Sequence, residues 1–212
     1  MNKADSKIFL VDDDTEIRDG ISLLLKSSGY TVETFSSTDQ LLARGKYDGC
    51  GCILLDVFLG GKTGIELQEE IEIKFDHLPI IFISGYGNIS MSVEVLKKGA
   101  LNFLEKPIDE QKLLKAIDEA LNKSFRIVSE HKEINKLRSL INQLTAREYE
   151  IFSFVITGTL NKQIAAELGI SEHTVKNHRL NITEKLGVKT IPEMIIMAEK
   201  LNIKSSTVNL SS

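Results

Sequence analysis

Five short apolar runs, each followed by a helix-like stretch, govern what the first 120 or so residues can fold into. The runs are KIFLV (7–11), YTVETF (30–35), CILLDV (52–57), PIIFIS (79–84) and LNFLE (101–105). Helix-like segments lie near 15–28, 38–45, 63–75, 88–98 and 109–122. Short strands alternating with helices predict an α/β fold whose parallel sheet is covered on both faces. The middle runs are apolar throughout, as strands buried on both sides must be. An open sheet of this kind binds its ligands outside the carboxyl ends of its strands.

Polar residues collect at those ends. Asp12, Asp13 and Asp14 follow the first run, Asp56 lies within the third, Ser84 ends the fourth, and Lys106 follows the fifth just before Pro107. Asp14 also fits the N-cap of the first helix. Carboxylates brought together from separate strands repel one another. A hard cation such as Mg²⁺ relieves that repulsion, because it prefers carboxylate and carbonyl oxygens. The cation would also draw in a phosphoryl group. Asp56 would then be the nucleophile, Lys106 a mobile positive charge for phosphoryl oxygens, and Ser84 a hydroxyl donor.

The rest of the chain has a different character. Residues 1–122 carry 13 basic and 21 acidic side chains, and residues 123–212 carry 13 and 9, so the front is acidic and the back basic. That asymmetry points the back part towards nucleic acid. Residues 109–144 hold no Gly or Pro, and Ile127, Ile134 and Ile141 recur every seven residues, with Leu137 and Leu144 in a second set. Such a helix either pairs with its copy in a dimer or packs its stripe on its own protein. Thr145 with Glu148, and Thr190 with Glu193, fit capping boxes. Between them, Asn161–Leu168, Gly169 and a helix capped by Ser171 read as helix, turn, helix. Val175, Ile182 and Leu186 should face a core, leaving a polar, partly basic face that suits phosphates and base edges, or simply solvent.

Cys50 and Cys52 are too close for an ordinary disulfide and lack the partners of a zinc site, so Cys52 reads as core filling. No apolar run approaches bilayer length, and the start MNKADSKIFLVDDD turns acidic too early for a signal peptide. A cytoplasmic protein with no membrane partner is expected.

Residues 5–122, through LVDDD, LLDV, FISGYG and FLEKP, resemble the receiver domain of two-component response regulators. The resemblance implies a CheY-like (flavodoxin-like), doubly wound five-stranded sheet. It implies Asp56 as the phosphoacceptor, Asp13 as a direct Mg²⁺ ligand, Asp12 as an outer one, and the Phe58 backbone carbonyl as a further ligand. It also implies that Ser84 follows the phosphoryl group, that Phe103 is the aromatic switch, and that the Lys106–Pro107 bond is cis. Two departures stand out. Gly60-Gly61 occupies the place where the family usually has Pro four residues after the phosphorylated Asp, so a looser loop is expected. Phe58 and Tyr86, at the positions that tune phosphate lifetime, are both aromatic, and slow autodephosphorylation is expected.

Residues 144–201, through LTAREYEIF, NKQIAAELGIS and HTVKNHRLNITEKLGV, resemble the four-helix LuxR/NarL-type DNA-binding domain. The likeness implies that Lys176, Asn177 and Leu180 face the major groove, and that Lys162, Thr174, Arg179 and Lys185 contact phosphates. Receiver plus LuxR-type domain is the arrangement of the NarL/FixJ group, and the unbroken linker resembles its FixJ-like branch. The expected layout is a receiver (1–122), a linker helix (123–143), an all-α helix-turn-helix domain (144–204) and a disordered tail (205–212). The expected function is phosphorylation-activated, DNA-binding control of transcription, with phosphate accepted on Asp56, by a protein that is not an enzyme. A histidine kinase, double-stranded promoter DNA and a second copy of the chain are the expected partners. The copy would join through the linker or through the face made by 88–98, 101–105 and 109–122. The alternative is a constitutive dimer that binds DNA without phosphate. A flavin carrier fits poorly, because the acidic trio would repel its phosphate. A small-molecule phosphatase lacks any visible specificity insert.

Overall fold

The computed structural model describes residues 6–59, 62–85 and 89–203. In the first part the chain runs β1 (Lys7–Val11), α1 (Thr15–Ser27), β2 (Thr31–Phe35), α2 (Thr38–Ala43) and β3 (Gly51–Asp56). It continues through β4 (Phe58–Leu59), β5 (Lys62–Thr63), α3 (Gly64–Lys74), β6 (Ile80–Ser84), α4 (Ile89–Lys97) and β7 (Asn102–Glu105). The five long strands form one sheet in the order β2-β1-β3-β6-β7, with every neighbouring pair parallel. This is the expected doubly wound class.

Side chains that alternate along a strand face opposite sides of a sheet, and here both sides are apolar. Phe9, Val11, Ile53, Leu55, Ile80 and Phe82 meet Leu41 of α2, Ile71 of α3, Val95 of α4 and Phe75 just after α3. Ile8, Leu10, Cys52, Leu54, Ile81 and Ile83 meet α1 and the next helix, α5. Cys52 is fully buried, its thiol is pushed up by that burial, and both cysteines are free. Gly51 is required where β3 passes β1, because a Cβ there would lie 2.3 Å from the Lys7 carbonyl oxygen.

Helix α5 (Glu110–Ile141) is continuous over 32 residues. Its packing on the sheet continues past residue 122, where the sequence reading ended the first domain. Ser124 is fully buried and its hydroxyl accepts from the Gly51 N–H at 3.0 Å, and Val128 is buried too. The chain divides into two compact units between Ser129 and Glu130.

The second unit adds α6 (Ala146–Val155), α7 (Asn161–Leu168), α8 (Glu172–Leu186) and α9 (Ile191–Lys200) to the end of α5. Ile141, Phe152, Ile164, Val175, Ile182, Leu186 and Met194 form its core. Leu137, Ile141 and Leu144 belong to that core, so this part of the seven-residue stripe packs on its own protein. A dimer seam on α5 would be left with Ile127 and Ile134. Thr145 and Glu148 form the expected reciprocal capping box. At Thr190 only half of the box forms: its hydroxyl accepts from Glu193 N–H, but the Glu193 carboxylate accepts from the Lys189 N–H. Gly169 closes α7 in the left-handed region (φ 64°), and the cap of α8, Ser171, follows two residues later. Among the described residues, no helix is long and apolar enough to cross a membrane. The tail expected to be disordered (205–212), Tyr86 and the Gly60-Gly61 loop lie outside the described residues.

Candidate functional site

The parallel register brings the strand ends together. Asp12 follows β1, Asp56 ends β3, and Ser84 follows Ile83, the residue level with Asp56 on β6. The Lys106 N–H donates to the Ser84 carbonyl at 2.8 Å, which fixes the start of the turn after β7. The Lys106–Pro107 bond is cis. From there the Lys106 ammonium reaches both buried carboxylates, at 2.8 Å from Asp12 Oδ2 and 2.5 Å from Asp56 Oδ2. The remaining oxygens are held by the backbone. Asp12 Oδ1 accepts from the Asp14 N–H at 2.9 Å, and Asp56 Oδ1 from the Phe58 N–H at 3.1 Å.

Carboxylate oxygens of Asp12, Asp13 and Asp56 lie within 4.8 Å of one another. Asp12 and Asp56 are buried and Asp13 is exposed at the mouth. Two buried carboxylates, Asp12 and Asp56, share one ammonium, so the pair carries more negative charge than Lys106 offsets. Burial pushes the Asp12 carboxyl above the usual carboxylate range, and the neighbouring Asp56 adds to this; the Lys106 ammonium opposes it without cancelling it. Burial also disfavours the charged Lys106, but its bonds to Asp12 and Asp56 outweigh that and hold its pKa above the ordinary value. A hard divalent cation with oxygen ligands suits this donor set.

Asp14 caps α1 as expected, accepting from the Glu16 and Ile17 N–H groups. The sequence reading missed Arg18. Its guanidinium donates to the Asp12 carbonyl at 2.7 Å and to Thr15 Oγ1 at 3.1 Å, clamping the acidic loop to the first turn of α1. The available signal was its spacing, four residues past the cap and thus one turn above it. Phe103 on β7 is half-buried beside a groove that Ser92, Leu96 and Lys106 also line.

In the second unit, Lys176, Asn177 and Leu180 are exposed on one face of α8, opposite buried Val175, Ile182 and Leu186. Lys162 is exposed near the start of α7. Two of the expected phosphate contacts are already engaged within the unit. Arg179 Nη1 donates to Asn161 Oδ1 at 2.5 Å, and Lys185 Nζ pairs with Glu148 Oε2 at 2.6 Å. Thr174 shares a hydroxyl contact of 2.8 Å with Ser171, the cap of α8. Glu148 is a second residue whose role the sequence reading undercounted. It completes the α6 capping box and also anchors α8, and the Lys185 bond holds its carboxyl down to about 2.

Residues 8–118 match the response regulator receiver domain family, and residues 142–198 match the bacterial regulatory proteins of the luxR family. The chain belongs to the response regulators, in their NarL/FixJ group. Response regulator protein TodT of Pseudomonas putida is 39% identical over 95% of this chain and 88% of its own length. Transcriptional regulatory protein FixJ of Rhizobium meliloti is 30% identical, covering 92% of this chain and 95% of its own. The solved structure of response regulator StyR superposes with a TM-score of 0.82 at 41% identity, over 93% of this chain and all of that one. A receiver joined to a LuxR-type domain makes this regulator part of a two-component system acting on transcription. Of these relatives, TodT bears the name of a response regulator and FixJ that of a transcriptional regulatory protein.

Proposed function

We propose that a histidine kinase phosphorylates Asp56 and that this phosphorylation switches the regulator's binding to promoter DNA. The observation that carries this reading is the Asp56 carboxylate itself, which meets the Lys106 ammonium at one oxygen and the Phe58 N–H at the other, beside Asp12 and Asp13. In the transfer, a carboxylate oxygen of Asp56 forms a bond to phosphorus as the bond to the donor imidazole nitrogen breaks, and the imidazole leaves to take up a proton. Asp12, Asp13, Asp56 and the Phe58 carbonyl would hold Mg²⁺, which supplies positive charge against the phosphoryl oxygens. Lys106 then has a new anionic partner, and Ser84, buried at the adjacent strand end, offers its hydroxyl to the same group.

The kinase would approach the carboxyl ends of the strands, where Asp56 lies. An apolar groove of about 550 Å³, lined by Ile17, Ile21, Leu24, Pro107 and Ile108, lies against Lys106 and supports docking there. The signal would leave through Ser84 and half-buried Phe103 to the face built from α4, β7 and the start of α5, where a second copy of the chain would pair. Two α8 helices would then meet two half-sites. Lys176, Asn177 and Leu180 would face base edges, and Lys162, Thr174 and Arg179 would contact phosphates. Arg179 and Lys185 also hold α8 in place through Asn161 and Glu148.

The test compares wild type and Asp56→Asn for sedimentation and DNA binding, with and without Mg²⁺ and phosphoramidate. The expected result is donor-driven dimerisation and DNA binding in wild type only. Equal dimerisation and affinity in both proteins, whatever the donor, would favour the constitutive alternative and sink the phospho-switch.

A further inference from the structure

The outward face of α8 carries one residue that its chemistry singles out. Val175, Ile182 and Leu186 are buried, whereas Leu180 is 59% exposed. It lies three and four residues beyond Asn177 and Lys176, so the three share one face. The other exposed positions on that helix (Glu172, His173, Asn181 and Glu184) are polar or charged. A lone surface leucine is ordinary on a protein. On a helix that enters the major groove it sits among side chains that address base edges, and there its only favourable contact is apolar. In that groove, one base edge carries an apolar group, the 5-methyl of thymine.

We infer that Leu180 is a specificity-determining residue that selects a thymine by covering its 5-methyl group. The inference rests on the reading of α8 as the helix that reads DNA. Asn177 and Lys176 offer hydrogen bonds suited to adenine and guanine edges respectively. Leu180 adds a pairing by shape and hydrophobicity one turn further along. Because Val175, Ile182 and Leu186 fix the rotation of the helix, the leucine cannot turn away from the groove without exposing the core.

The experiment uses the full chain with Mg²⁺ and phosphoramidate. Duplexes that bind wild type are enriched from a pool of random sequence. Each thymine of the enriched duplex is then replaced, one at a time, by deoxyuridine, which removes the methyl and leaves every hydrogen-bonding group in place. At one thymine per bound α8, the replacement is expected to weaken wild-type binding about fourfold, the worth of one buried methyl. Leu180→Ala should bind the thymine and uracil duplexes equally, and Leu180→Met should keep the discrimination. Loss of all binding by Leu180→Ala would mark a folding defect, and the comparison of Leu180→Met with Leu180→Asn then decides, the latter expected to lose the discrimination. An enriched duplex with no uracil-sensitive thymine overturns the assignment, as does undiminished sensitivity in the variants that lack the apolar side chain. Failure to enrich any duplex overturns the DNA reading itself, and this assignment with it.

Discussion

The two units handle charge in opposite ways. In the first, the buried carboxylates of Asp12 and Asp56 converge at the ends of their strands on one ammonium, and together they carry more negative charge than Lys106 offsets. In the second, basic and amide groups are spread along the outside of α7 and α8, and the buried carboxylate of Glu148 takes both the Lys185 ammonium and the Thr145 N–H at Oε2. A site with unbalanced, buried charge is built to take up a ligand and change. A site whose buried charge is balanced is built to hold a helix still while its outer face meets something else. The contrast makes the first unit the part that responds and the second the part that reads.

The largest expected effect comes from breaking the ammonium's role. Lys106→Met leaves Asp12 and Asp56 buried without their cation, and should destabilise the first unit by about 3 kcal/mol in EDTA at neutral pH. Urea unfolding would show it, and Mg²⁺ should recover a larger share in the variant than in wild type. No difference between the two in EDTA would mean the charge is not unbalanced after all.

Removing the balance in the second unit is expected to have a somewhat smaller effect. Glu148→Gln gives up the Lys185 pair and weakens the α6 box, for a loss of about 2 kcal/mol. Acid sharpens the comparison, because the two carboxyls are displaced in opposite directions. Glu148 titrates at about 2 when folded, against 4.5 in a free chain. Its stabilisation is therefore complete above 4.5 and disappears as pH falls through that window. Asp12 is displaced upward from 3.8. Its contribution favours the folded state below 3.8 and is lost as pH rises through the folded value. Mild acidification in EDTA should relieve the first unit before it weakens the second. Hydrogen exchange resolved by segment would test this, and parallel behaviour of the two units would refute it.

Ser124→Ala tests how far the first core reaches along α5. It orphans the buried Gly51 N–H and should cost about 1–2 kcal/mol, felt at β3. The smallest effect concerns two lysines on the DNA side. Lys162→Ala should lower the slope of log affinity against log salt by about 1. Lys185→Ala should change that slope less, since its ammonium is held by Glu148, and should instead lower stability. Equal slopes for the two variants would mean that Lys185 leaves Glu148 when DNA binds.

The strands and the residues at their ends were legible because continuous apolar runs leave few choices, and parallel pairing then forces Asp12, Asp56, Ser84 and Lys106 to one edge. The short β4–β5 pair was not foreseen. Its strands are two residues each, too brief to show a period, although Gly-Gly between them is a known hairpin signal. The stripe along α5 was ambiguous for a physical reason, since spacing of three and four serves a helix bundle as well as a coiled coil. Only the packing of Leu137, Ile141 and Leu144 tells them apart. The Glu148–Lys185 pair joins residues 37 positions apart, and a charge pattern does not show which opposite charges meet across such a distance.

The division of labour on α8 bears on how such proteins diverge. The residues that seat this helix, the buried Val175, Ile182 and Leu186, the Arg179 and Lys185 pairs and the cap at Ser171, are distinct from Lys176, Asn177 and Leu180 on its exposed face. Changes on the outer face can therefore accumulate in a lineage without eroding the scaffold beneath. If that face reads promoters as proposed, a duplicated gene could change its promoters there and keep its signal-receiving half unaltered.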